Sequence, residues 1–140
     1  MKIERMRAEY AGITKPYGAG VKIGNMIYLS GMAGIDPATN QVVIDPIYNN
    51  RVEACVTAQV ECIVKKVEAI LKKFGATLND IVYLESLMVD VNIFYFVAEA
   101  LKKELPDGLY EQLAHTGFGV TSLVPPGAFI EIAVTAALPE

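Results

Sequence analysis

Apolar and polar positions in this chain follow two periods that come in separate blocks. From Arg51 to Phe74 the positions Val52, Val56, Gln59/Val60, Ile63, Val67, Ile70/Leu71 and Phe74 recur at helical spacing. Lys65, Lys66, Glu68, Lys72 and Lys73 supply the wet face. The positive charges gather in the last turns, where the helix dipole favours them, and Gly75 is a natural stop. A second helix is expected from about Ile93 to Leu105, with Phe94, Val97, Ala98, Leu101 and Leu105 inward and Asn92 as its cap. Pro106-Asp107-Gly108 ends it.

The other blocks read as strands. Ala19–Ile23 and Met26–Met32 flank Gly24-Asn25, a dipeptide suited to a tight hairpin because both residues tolerate positive φ. Met26–Leu29 is nearly all apolar, which predicts a central strand buried on both faces. Lys2–Arg7 alternates weakly and reads as an edge strand, Asp80–Asp90 as a strand, and Thr116–Leu123 as extended chain. Asp36–Asn50 is a long connection with one short strand at Gln41–Ile44, and Leu109–Ala114 is a helical turn. Phe129–Ala137 alternates, so Glu131 lies on the opposite face from Ile130 and Ile132. The order is ββαβαβ, an α+β class with two helices on one face of a sheet.

Composition adds limits. A chain of 140 residues is expected to form one domain, residues 1–140. Its 53% hydrophobic content is high for a lone small domain, so the second sheet face is expected to be covered by neighbouring subunits. Net charge is −4 and no basic stripe forms, which argues against nucleic acid as a partner. No apolar run is long enough to span a bilayer, and Glu4, Arg5, Arg7 and Glu9 near the start argue against a signal peptide, so no membrane partner is expected. Cys55 and Cys62 lie on one face of the first helix, about 10 Å apart, too far for a disulfide. They are expected to be reduced core thiols in a cytoplasmic protein, and no Cys/His set has metal-ligand spacing.

Three segments carry a resemblance: KPYGAGV with GNMIYLSG and DPATNQV in the first half, LNDIVYLESLMVDVNIF in the middle, and VPPGAFIEIAVTA at the close. In order and spacing the chain resembles the reactive-intermediate deaminase (Rid) family, also called the YjgF or endoribonuclease L-PSP family. Members show a GPYSQAV-like loop, a GN-hydrophobic-SGQ hairpin and a closing VEI strand. The resemblance implies a chorismate-mutase-like fold assembled as a homotrimer, with clefts between subunits that take a small molecule. It also implies hydrolysis of enamines and imines to a keto acid and ammonia, with no cofactor and no metal.

Such chemistry needs a water-orienting acid/base and a group that holds the substrate. Carried over by the resemblance, Glu131 is the catalytic carboxylate and Tyr17 a catalytic-loop residue that orients the substrate. Ser30, Gly31 and Phe94 become substrate-binding residues. The family's substrate-binding arginine falls on Thr116, its helix asparagine on Ala98, and the SGQ glutamine on Met32. His115 stands beside the changed position, and its ordinary pKa suits a donor or a titrating group near neutrality. His115 and Thr116 are therefore expected to hold the substrate by hydrogen bonding. Two function classes stay open on this reading: a hydrolase acting on a C–N bond, or a non-catalytic trimer that binds a small metabolite or regulates a partner in the same cleft.

Overall fold

The computed structural model describes residues 1–13 and 15–139. Strands β1 (Ile3–Met6), β2 (Gly20–Ile23) and β3 (Met26–Leu29) form an antiparallel meander. Strand β4 (Met32–Ala33) extends the line of β3, and β5 (Ile35–Asp36) pairs with β6 (Gln41–Val42) as a separate small ribbon. Helix α1 (Val52–Lys73) leads to β7 (Ile81–Met88), then α2 (Phe94–Glu104), β8 (Ala114–Gly119) and β9 (Ile130–Ala137). The sheet runs β1-β2-β3-β9-β7-β8, with β4 also on β9. Among the described residues only β7 and β8 are parallel, joined through α2, so the class is α+β with a mixed sheet.

Alternation decides which side chains meet the helices. Along β9, Ile130, Ile132, Val134 and Ala136 are buried, while Glu131, Ala133 and Thr135 are only half-covered. The buried set packs on Val56, Val60, Ile63, Val67, Ile70 and Leu71 of α1 and on Val97 and Leu101 of α2. Each such Leu or Ile contributes roughly 1.5–3 kcal/mol when fully buried. Helix α1 ends in a Schellman arrangement: Gly75 at φ +83° lets the Ala76 N–H donate to Leu71 O at 2.9 Å and the Gly75 N–H to Lys72 O at 3.0 Å.

Several local expectations shift. The strand expected over Met26–Met32 breaks into β3 and β4 at Ser30-Gly31. Between Tyr28↔Thr135 and Met32↔Ile132, four residues advance on one strand against three on the other, which is a β-bulge. Asp90, not Asn92, caps the turn before α2: its carboxylate accepts from the Asn92 backbone N–H at 2.9 Å, and the helix starts at Phe94. The extended segment expected at Thr116–Leu123 is Ala114–Gly119, because its partner β7 runs only from Tyr83 to Met88 in that pairing. Cys55 is buried as expected, whereas Cys62 is half-exposed and lines a cavity on α1.

Candidate active site

The bulge sets the first half of the site. Ser30 donates through Oγ to Gly18 O at 2.6 Å and through its backbone N–H to Ala19 O at 2.9 Å. The hairpin end is thereby tied to the loop that carries Tyr17. Gly31 lies directly against the side chain of Glu131. A Cβ at Gly31 would stand 2.7 Å from Glu131 Oε2, so the glycine is what leaves room for the carboxylate. Tyr17 is 54% exposed, and its ring is flanked by the Lys15 ammonium at 5.4 Å. Ser30, Gly31 and Glu131 therefore form one wall within a single chain, which Ser30 ties to the Tyr17 loop through Gly18 O.

The structure does not bring the remaining predicted residues to that wall. His115 and Thr116 are adjacent in β8, so they point to opposite faces of the sheet. His115 is in register with the buried Leu84, on the helix side. Its Nε2 is 2.8 Å from Ser86 Oγ and its Nδ1 is 2.7 Å from the Tyr110 hydroxyl. The Phe94 ring, at the start of α2, stacks beside it at 5.5 Å between centroids. Burial holds the His115 imidazole below its ordinary range, which favours the neutral form. Both ring nitrogens are thus engaged away from Glu131. Burial, then the neighbouring Glu111, pushes the Tyr110 hydroxyl pKa up.

Thr116 is exposed on the helix-free face, opposite Glu85. Glu131 opposes Leu87, which in turn opposes Phe118. Two strand spacings and a two-residue offset put the Thr116 and Glu131 backbones about 12 Å apart in one chain. Met32, at the glutamine position, is fully buried.

Several roles escaped the sequence reading. Gln59 of α1 is fully buried and binds the turn before β9 at both ends. Its Oε1 accepts from the Phe129 N–H at 2.9 Å, and its Nε2 donates to Gly127 O at 3.2 Å. It thereby anchors Phe129, two residues before Glu131, at the entry to β9. Ser86 and Tyr110 bracket His115. Lys66 is half-buried, donates to Ala33 O at 2.6 Å, and has its pKa lowered mainly by burial.

A family model described as Endoribonuclease L-PSP matches residues 9–138. The chain belongs to this family, the Rid/YjgF family. This Rid-family chain is 28% identical over 123 residues to a RutC family protein of Sulfurisphaera tokodaii, covering 85% of each. Over 88 residues it is 27% identical to a 2-iminobutanoate/2-iminopropanoate deaminase of Dermatophagoides farinae, spanning 63% of this chain and 62% of that one. The crystal structure of RidA from an Antarctic Psychrobacter species superposes with a TM-score of 0.73 at 26% identity, covering 89% of this chain and 90% of that one. The Rid fold accounts for the sheet order and for both helices lying on one face.

Proposed function

We propose that this Rid-family protein is a cofactor-free hydrolase of an imine or enamine, working in a cleft between subunits of a homotrimer. The observation that carries the reading is the seating of the Glu131 carboxylate on Gly31, in the bulge that also fixes Ser30 and the Tyr17 loop. The similarity to a 2-iminobutanoate/2-iminopropanoate deaminase supports the reaction class.

The chemistry follows from the groups present. Glu131 accepts a proton from a water molecule as that water attacks the imine carbon, giving a tetrahedral carbinolamine. Glu131 returns that proton to the nitrogen and then moves the carbinolamine hydroxyl proton to the amino group, the C–N bond breaks, and ammonia leaves as the carbonyl forms. An enamine enters by tautomerising to its imine. Tyr17 orients the substrate from its loop. Thr116 is too far from Glu131 in one chain to share a small substrate with it, so its hydroxyl acts from a neighbouring subunit. That separation supports a cleft between chains, as does the exposed helix-free face carrying Tyr28 and Phe118. His115 serves the fold of β8 and α2, and Phe94 packs against it.

Ammonia release tests the reading. 2-Iminobutanoate is generated in situ by an amino-acid lyase, and the protein is expected to accelerate its hydrolysis above the buffer rate. A second reading, a non-catalytic metabolite-binding trimer, is favoured by the apolar row Leu87 and Phe118 level with Glu131. A rate equal to buffer, with saturable ligand binding retained, decides for it. Sedimentation is expected to give a species of three 15.2 kDa chains; a monomer at micromolar concentration would remove the inter-subunit cleft.

A further inference from the structure

A cavity of about 540 Å³ lies along the outer flank of α1, and the hydrolysis scheme leaves it without a role. Its volume falls within the roughly 300–1,000 Å³ of small-molecule sites. Ile13, Pro37, Val43, Ala58 and Ala69 give it an apolar wall. The Glu131 side chain is on the other face of the sheet from α1, so this space is separate from the proposed cleft.

Two side chains of α1 on this wall, one turn apart, reach carbonyls of the neighbouring strand segment. Lys66 Nζ donates to Ala33 O at 2.6 Å, and the Cys62 thiol donates to Ile35 O at 3.4 Å. Lys66 has no carboxylate within 4 Å among the described residues, whereas its neighbour Lys65 is paired with Glu61 at 3.0 Å. The other acid of the wall, Asp36, accepts from the Ala38 N–H at 2.8 Å. Lys66 also lines a smaller cavity, where the other charged group, Lys15, is of its own sign. Burial, and more weakly the Lys15 charge, lowers the Lys66 pKa, while the Glu61 contact raises that of Lys65. Burial raises the Cys62 thiol, which keeps it protonated and leaves the amine as the nucleophile of the pair.

We infer that Lys66 is a covalent carbonyl-binding residue, and that this cavity takes a small uncharged aldehyde or ketone as its Schiff base. A lysine set in apolar surroundings beside another cation is the arrangement that makes an amine nucleophilic. The hydrogen bond to Ala33 O uses one N–H and leaves the lone pair of the neutral amine free. That lone pair attacks the carbonyl carbon, and a proton moves from the nitrogen to the carbonyl oxygen. The resulting hydroxyl takes one further proton from solvent and leaves as water. The nitrogen keeps one hydrogen, so the protonated Schiff base still has an N–H to donate to Ala33 O. Asp36 and Glu61 disfavour an anion here, so the ligand differs in charge from a keto acid. The inference does not depend on the hydrolase reading.

Reductive trapping of the full chain with benzaldehyde and cyanoborohydride at neutral pH, read by peptide mass spectrometry, tests it. Lys66 is expected to carry the main benzyl adduct, formed several-fold faster than that on Lys65. Exposure alone predicts the opposite order, because Lys65 is exposed and Lys66 half-buried. Lys66→Arg keeps the charge and a donor for Ala33 O but cannot condense, and should lose the adduct, whereas Lys65→Arg should keep it. 4-Carboxybenzaldehyde, the same ring with a negative charge, should label Lys66 more slowly than benzaldehyde. Labelling of Lys66 no faster than Lys65, label confined to the Met1 amine, or preference for the carboxylated aldehyde overturns the inference. The ratio of Lys66 to Lys65 is read on wild type, so the test stands even where a variant fails to fold. Ammonia release at the buffer rate would remove the hydrolase and leave this ratio unchanged.

Discussion

Gly31 and Glu131 are a hundred positions apart in sequence and in van der Waals contact in the fold, with Glu131 Oε2 standing 2.7 Å from where a Gly31 Cβ would be. The neighbour that would be struck is the reactive end of the carboxylate rather than backbone. A methyl group at residue 31 therefore moves the carboxylate before it moves the sheet. Gly31→Ala is expected to cost about 1–3 kcal/mol of stability, as overpacking does, while turnover falls disproportionately. Urea denaturation and ammonia release on the same preparation check it. Unchanged turnover would show that Glu131 does not need this seat.

Glu131→Gln keeps the side-chain volume and removes the proton acceptor. The expected result is a fall in kcat of about 10²-fold or more with the fold intact, the scale of one positioned general base. Near-wild-type turnover on 2-iminobutanoate would remove Glu131 from the mechanism.

Gln59 is the buried polar side chain that ties α1 to the start of β9. Gln59→Leu strands the Phe129 N–H and the Gly127 carbonyl without their partner. Each stranded group costs about 1–3 kcal/mol. The urea midpoint should drop sharply, and the residual folded protein should lose activity through misplacement of Glu131. A variant as stable as wild type would show that water replaces the amide.

The stability of the chain should depend on pH through His115, whose pKa burial holds low. The folded chain resists protonation there, whereas the unfolded chain takes up a proton below about pH 6.5. The contribution is fully present above that pH and is lost as pH falls through the window beneath it. Ser86, Tyr110 and Phe94 face the ring, with Glu111 beside Tyr110, and none offers a carboxylate contact to stabilise an imidazolium. The urea midpoint should therefore fall between about pH 7.5 and about pH 5.5, and His115→Gln should flatten that difference. An equal slope in the variant would place the pH dependence on other groups.

The elements were readable where a single period ran unbroken. The apolar ladder of α1 and its Gly75 stop, the Gly24-Asn25 hairpin and the alternation of β9 all translate directly into the fold. The break at Ser30-Gly31 was not readable, because a bulge depends on the partner strand, and β9 lies a hundred residues away. The site divided along the same line. Glu131 could be assigned to a face by alternation within its own strand. His115 and Thr116 look like one feature in sequence because they are neighbours, yet in a strand adjacency is what separates two side chains.

Strand β9 is last in the described order and lies in the middle of the sheet, between β3 and β7. The meander β1–β3 and the parallel pair β7–β8 share no ladder except through it. During synthesis, then, the chain emerges as two unfinished half-sheets with an open seam, and both wait for the residues around Ile130–Ala137. The strand that supplies the proposed catalytic carboxylate is also the one that closes the seam, so the site and the sheet are completed in the same event. A nascent chain stalled before Ile130 would carry two exposed sheet edges and no Glu131, a species for chaperones rather than for catalysis.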